Sequence, residues 1–499
     1  MSVRAWEQFI KVAQGKENRP AVLHGDTQIS FAELMELAEQ WARTIAAPAG
    51  ERVILYSENS ISVIGAVLGT WRTGAIPVWT NVDAPLSHLE LAVAETEAVC
   101  VVSTKPGVAE QLTCRVLAAP LADAGPVQVS GQNEIGSIVY TSGSTGKPKG
   151  VVQKAETLID GARRVAGALG YRSEDRILCP VPFAFDYGWG QLLSLLFQGN
   201  TLVLPSPNNA FGICDAITQH KPSVLAGVPA VYSNLMAGLS PIREIDASSI
   251  RLITNSGSRI PSRVLESLFE TFGAADLSLN YGLTETYRSA TLPLPLARTK
   301  SHAVGNALPG VDLVIIDKDG KPCPAGETGQ IVHRGAGIFE GYWRNPERTA
   351  ISLRPDPLEP ESGRKAVFTG DLGFFDPEGH LVIVGRADRQ MKSMGVRVSP
   401  DEIEEILLAT GHMAEVAITS RPDETIGDLV VAFVVAKPGS DPKEALKALK
   451  RDLREKLSPF MTPRVYHYLD ALPRNPNRKV DYPALKRMAA EGGPVSQSA

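Results

Sequence analysis

Cysteine and histidine are scarce and scattered in this sequence. Its five cysteines, Cys100, Cys114, Cys179, Cys214 and Cys323, are odd in number and form no C-x-x-C pair. That excludes a disulfide framework and a cysteine-built metal site, and it points to a reducing cytosol. The thiols are expected to be buried structural residues. The eight histidines form no H-x-x-x-H or H-x-H group, so a metal held by protein ligands alone is not expected; one could still arrive with a phosphate ligand. Neither sign of charge dominates. Fifty basic against fifty-five acidic side chains give a formal charge of −5, which leaves no global field to draw the chain to nucleic acid or anionic lipid, so any anion must be bound locally. Long apolar runs are missing too. The most apolar stretch, residues 62–79, is broken by Arg72 and glycines, so no membrane-spanning helix is expected, and residues 1–11 carry no apolar export signal. A cytoplasmic protein is the expectation.

What is present is an ordinary globular composition, 43% hydrophobic and 21% charged over 499 residues. This length holds about three domains of roughly 100–200 residues, or one large and one small. Up to about residue 385, short β-branched runs (52–56, 99–103, 137–141, 201–204 and 251–254) alternate with amphipathic helices, which predicts an α/β fold with largely parallel sheets. After Ser30 a capping box with Glu33 opens a helix whose Phe31, Leu34, Ala38, Trp41 and Ile45 form one apolar face. From Asp312 strand-rich pieces at 313–316, 330–333 and 381–384, separated by glycine turns, predict a β subdomain. Beyond Gly385 a compact α/β unit is expected. In it 399–402 reads as a capping box, 430–435 as a buried strand, and Asp441 as the start of a helix with Leu446, Leu449, Leu453 and Leu457 on one side. The residues from Glu491 onward are small and polar, expected to be disordered, and are not a lipidation signal.

The strongest local signal is Thr141-Ser142-Gly143-Ser144-Thr145-Gly146-Lys147-Pro148-Lys149-Gly150, directly after a predicted strand. Glycines free backbone N–H groups to point inward, hydroxyls add donors, and Lys147 and Lys149 add charge, a combination suited to a polyphosphate. It is not a Walker A loop, which needs Gly where Thr141 stands and Ser or Thr where Pro148 follows the lysine.

With Tyr281-Gly282-Leu283-Thr284-Glu285, Thr369-Gly370-Asp371, Gly385-Arg386-Ala387-Asp388, Gln390-Met391-Lys392, Gly395-Val396-Arg397, Glu402-Ile403-Glu404 and the lysine ending 472–479, the chain resembles the adenylate-forming enzymes. That family includes acyl-CoA synthetases, luciferases and peptide-synthetase adenylation domains, and the resemblance runs along nearly the whole chain. It implies a large N-terminal domain of stacked α/β subdomains plus a β subdomain (1–385), a hinge (386–388) pivoting at Asp388, and a small mobile α/β domain (389–499).

The resemblance also implies the chemistry: a carboxylate attacks the α-phosphate of Mg-ATP to give acyl-AMP and pyrophosphate, and a thiol then displaces AMP. The residue types suit it, since two anions must meet and electrostatic stabilisation matters more than proton transfer. By resemblance, the loop from Thr141 to Lys149 would hold the β- and γ-phosphates, Thr284 the α-phosphate, and Glu285 the Mg²⁺ ion. Asp371 and Arg386 would take the ribose. Tyr281, between Asn280 and Gly282, would pack on adenine against a wall of Asn255, Ser256, Gly257 and Ser258. Here Leu279 stands where the family commonly has an amide residue. Lys479 would neutralise the charge developing between carboxylate and α-phosphate, while Lys392, Gly395 and Arg397 would line the thiol tunnel.

The segment 182–191 aligns with the part of the family that shapes the acyl pocket. Phe183, Phe185 and Trp189 argue for an apolar wall, and Asp186 would either pair with the ammonium of an amino acid or be a hydrogen-bonded structural residue. The implied acceptor is CoA or the phosphopantetheine of a carrier protein. An amino-acid-activating ligase, an amide-forming ligase and an inactive ATP- or acyl-AMP-binding sensor are the alternatives. Both Lys479 and Glu285, whose loss would mark a sensor, are present.

Overall fold

The computed structural model describes residues 5–121, 125–127, 133–142, 148–393, 396–423, 427–475 and 479–491. Of the predicted site residues, Gly143, Ser144, Thr145, Gly146, Lys147 and Gly395 lie outside the described residues. So does the tail beyond Glu491.

Three sheets carry the chain. In the largest, Pro20–His24, Thr201–Leu204, Arg176–Leu178, Val224–Gly227, Leu252–Asn255 and Asp276–Tyr281 pair in parallel. The same sheet then turns antiparallel through Ala290–Thr291, Ala303–Ala307, Leu381–Arg386, Lys365–Phe375, Gly329–Gly335 and Val311–Ile316. The expected β subdomain is thus an extension of the parallel sheet, and it begins at Ala290, well before Asp312. A second sheet runs from Arg115–Leu117 through Cys100–Val102, Arg52–Leu55 and Ile76–Trp79 to Ile135–Ser142, all parallel. Pro148–Lys154 then folds back on Ile135–Ser142 with Thr141 opposite Lys149. The third sheet is built from Met391–Ser393, Val396–Val398, Gly427–Ala436, Met413–Asp423 and Val465–Tyr468.

Local chemistry sets the elements. Helix Phe31–Ile45 has the expected capping box: Ser30 accepts from the Glu33 N–H while the Glu33 carboxylate takes the Ser30 N–H. Its expected apolar face is buried. This helix crosses Ile61–Thr73 at Gly65 and Gly69, where a Cβ on Gly69 would lie 2.6 Å from Trp41 Cβ and 2.7 Å from the Ala42 nitrogen. The second predicted capping box fails. Ser399 does precede helix Pro400–Ala409, but its hydroxyl donates to the Val384 carbonyl at 3.1 Å and makes no cap bond. A hydroxyl near a competing buried carbonyl satisfies that acceptor instead. Asp441 does cap helix Pro442–Lys456, accepting from Lys443 N–H.

All five cysteines are free. Cys100, Cys179 and Cys214 are buried, and Cys114 and Cys323 are half-buried; burial pushes the Cys179 thiol up to about 12. No helix among the described residues is long and apolar enough to cross a membrane. Among the described residues one cluster has metal-like spacing: Asp376, Glu378 and His380, on the turn between Lys365–Phe375 and Leu381–Arg386. The Lys300 ammonium lies among them, 3.3 Å from Asp376, 2.8 Å from Glu378 and 3.3 Å from His380 Nδ1. Burial acts to raise the Asp376 carboxyl, but the His380 N–H and Lys300 outweigh it and hold it at about 2.

The helix crossing can be tested with a pair of substitutions. Gly69→Ala meets backbone and should cost about 1–3 kcal/mol, seen as a lower urea midpoint at unchanged slope. Gly167→Ala, in helix Ala155–Leu169 with nothing near its would-be Cβ, should be neutral or stabilising.

Candidate active site

Lys149 projects from the return strand of the glycine hairpin into a buried triangle. Its ammonium is 2.7 Å from Glu285 and 2.8 Å from the Tyr342 hydroxyl, which itself donates to Glu285 at 2.7 Å. Burial acts to raise the Glu285 carboxyl, but the charge and hydrogen bonds of Lys149 and Tyr342 prevail and hold it below the ordinary range. Glu285 therefore stays an ionised, hard oxygen donor, the type that suits Mg²⁺. Beside Lys149, the buried Thr141 hydroxyl has no hydrogen-bond partner among the described residues. An unsatisfied donor next to an ammonium fits a phosphate oxygen.

The turn Thr284–Thr286 that carries Glu285 is pinned from several sides. Gln153 Nε2 donates to the Thr284 carbonyl at 2.9 Å, and the Glu285 carbonyl accepts from Phe339 N–H. Just beyond it, Ser289 lies 3.0 Å from Thr286 Oγ1 and 2.9 Å from His333 Nδ1, while His333 Nε2 faces the Ala336 carbonyl at 2.8 Å. A carbonyl only accepts, so Nε2 carries the proton and Nδ1 accepts from Ser289. Burial lowers the His333 pKa to about 4 and keeps the ring neutral.

A second pocket wall forms where Lys365–Phe375 pairs with Leu381–Arg386. Asp371 stands opposite Arg386 in the ladder and is bonded to it at 3.1 Å, and it accepts from the Tyr281 hydroxyl at 2.7 Å. Gly370 at φ +74° leaves room for the guanidinium, which would lie 3.2 Å from a Cβ there. Next to Tyr281 in the same strand, the Asn280 amide donates to the Asn255 carbonyl of the neighbouring strand at 2.8 Å. The Asn255 amide nitrogen donates to Ser258, and its Oδ1 is buried without a partner among the described residues. An acceptor of that kind fits the amino group of a purine.

Lys479 reaches this wall from the other side. Its backbone is tied to Asn475 and its neighbour Val480 packs on the third sheet, yet its ammonium lies 3.4 Å from the Gly257 carbonyl. Glu405 on helix Pro400–Ala409 makes an ion pair with Arg259 nearby. Asp388 sits in the short turn Ala387–Arg389, and Lys392 stands opposite Arg397 in a hairpin ladder. Arg389 is clamped by Asp401, by Glu404 at 2.8 Å and by the Tyr482 ring at 3.5 Å. Burial raises Glu404 to about 7 against the opposing pull of Arg389.

Phe183 and Trp189 are each 1% exposed and pack with Trp79 and Trp71 in the main core. They alternate with the open face of helix Asp186–Gln198. That face shows Asp186 and, one turn on, Gly190, both only partly buried, behind half-buried Phe185. Burial raises the Asp186 carboxyl, opposed by the charges of Lys479 and Arg288.

Two family profiles match the chain: AMP-binding enzyme over residues 9–343 and AMP-binding enzyme C-terminal domain over 402–479. The chain belongs to the AMP-binding enzyme family. Among its relatives, the 2-succinylbenzoate–CoA ligase of Geobacillus kaustophilus is 31% identical over 94% of this chain and 95% of its own. ATP-bound MatB of Rhodopseudomonas palustris is similar in structure at TM-score 0.86 and 25% identity, over 98% of this chain and 99% of that one. The amide bond synthetase McbA of Marinactinospora thermotolerans gives TM-score 0.84 and 25%, over 97% and 100%. As a member of this family the chain is an ATP-dependent, adenylate-forming ligase with a small-molecule carboxylic acid as substrate.

Tyr342, Gln153 and His333 carry no signal in the sequence, because they lie in no recognised motif and meet the Glu285 segment only across long stretches of chain. A neutral buried His333 makes stability depend on pH. The unfolded histidine takes up its proton near pH 6.5 and the folded one only near 4, so stability present above 6.5 is lost as pH falls through that window. Between pH 7 and 5, His333 should contribute a loss of about 2 kcal/mol. Urea midpoints of wild type and His333→Asn at both pH values check it; the variant should show the smaller drop.

Proposed function

We propose that the protein activates an amine-free carboxylic acid as its adenylate and passes the acyl group to a thiol, either CoA or the phosphopantetheine of a carrier protein. The observation that carries this reading is the Lys479 ammonium, delivered by the small C-terminal unit to the wall at Gly257, near Asp186. A carboxylate approaching the α-phosphate sets anion against anion, and a fixed ammonium between them stabilises the charge as it develops. Thr141, Lys149 and the loop between them would hold the leaving phosphates, and Thr284 the α-phosphate. Glu285 would ligate Mg²⁺, which supplies charge neutralisation on the phosphates when bound. Asp371, with Arg386, would accept both ribose hydroxyls, while Tyr281 and Asn255 would take the base.

In this reading residues 1–385 form the large domain, 389–499 the mobile one, and Asp388 the pivot. Rotation there would withdraw Lys479 and bring the Lys392–Arg397 hairpin to the cleft for thiol attack. The Arg259–Glu405 pair that bridges the two units is exposed on both sides. Such pairs are worth roughly 0–1 kcal/mol, which suits a contact that must break each cycle. An amine acceptor in place of the thiol is the second reading, favoured by the likeness to an amide bond synthetase.

Lys479→Ala should lower carboxylate-dependent ATP–pyrophosphate exchange by about 10²–10³ while sparing transfer of a pre-made acyl adenylate to CoA. Equal loss in both assays would remove Lys479 from the role. Mass spectrometry of products formed with CoA, carrier protein or amine decides the acceptor.

A further inference from the structure

Directly after Thr284 and Glu285 the backbone takes a rare form. Tyr287 has φ +57° and ψ −69°, and the Arg288 N–H closes on the Thr286 carbonyl at 2.6 Å, which is the strained hand of the three-residue γ-turn. Strain of this kind persists only where the surroundings hold it, and it clusters at functional sites.

The turn sends two side chains towards the open face of helix Asp186–Gln198. The Tyr287 ring packs on Gly161, and a Cβ on Gly190 would meet only the Tyr287 hydroxyl, at 3.9 Å. Arg288 is 7% exposed, and its guanidinium lies over the Tyr187 ring, 5.1 Å from the centroid. Among the described residues its Nη1 is buried with no hydrogen-bond partner, and the guanidinium forms no ion pair with a carboxylate. Asp186 is near enough to feel its charge but is not bonded to it. A buried guanidinium nitrogen left unpaired is costly, and a carboxylate matches its fork. An ammonium beside it would be repelled.

We propose that Arg288 is a specificity-determining residue that binds a second carboxylate on the acid, so that the substrate is a dicarboxylic acid activated at its other end. This rests on the reading of the Asp186–Gly190 face as the acyl pocket.

The test uses phthalate, glutarate, adipate and suberate, each against its monomethyl ester. Binding to wild type, Arg288→Met and Arg288→Lys is measured by calorimetry with α,β-methylene-ATP present, and pyrophosphate exchange is measured in parallel. At least one diacid should bind wild type about 10- to 150-fold more tightly than its ester. That ratio should fall to near 1 in Arg288→Met and partly recover in Arg288→Lys. Because the ratio is taken within each variant, a general loss of stability does not mimic it. No Arg288-dependent preference anywhere in the panel overturns the proposal, even if exchange with monoacids is strong. Arg288-dependent binding without exchange would instead uphold it and overturn the adenylation reading.

Discussion

A buried carboxylate kept ionised by one ammonium and one phenol is the constraint on which the site depends. Lys149 and Tyr342 belong to the second sheet, and Glu285 to a turn that follows the parallel part of the first. Their triangle therefore joins two sheets at the point where phosphate chemistry is expected. Taking away either Lys149 or Glu285 would leave the other's buried charge without its counter-charge, and such groups are costly to leave alone. Gln153 and the Phe339 N–H hold the same turn through its backbone, so the carboxylate is fixed by its chain as well as by its charge.

The same turn explains how one short segment serves two ends of a cleft. Glu285 faces the glycine hairpin, and after the γ-turn at Tyr287 the chain presents Arg288 towards helix Asp186–Gln198. Regular helix or strand geometry would not send these two side chains to such different neighbours. The neutral His333, locked between Ser289 and Ala336, braces the segment from behind without adding a charge to it.

Much of the fold was legible because its signals are local. The capping box at Ser30 and the apolar face behind it depend on residues a few positions apart, and both form as read. Of the motif residues, Lys149 pairs with Glu285 and Asp371 pairs with Arg386. The failures have one physical origin, competition from partners remote in sequence. Ser399 bonds Val384 instead of capping its helix. Phe183 and Trp189 pack on Trp79 and Trp71, far earlier in the chain, a placement no linear reading supplies. Tyr342 could not be seen at all, since its partner Glu285 lies 57 residues away.

The cluster of Asp376, Glu378 and His380 ends differently from a metal centre. Its cation is the Lys300 ammonium, which the polypeptide carries with it. The corner of the antiparallel sheet thus carries a fixed positive charge of its own, supplied from a different strand connection and set among its acidic side chains.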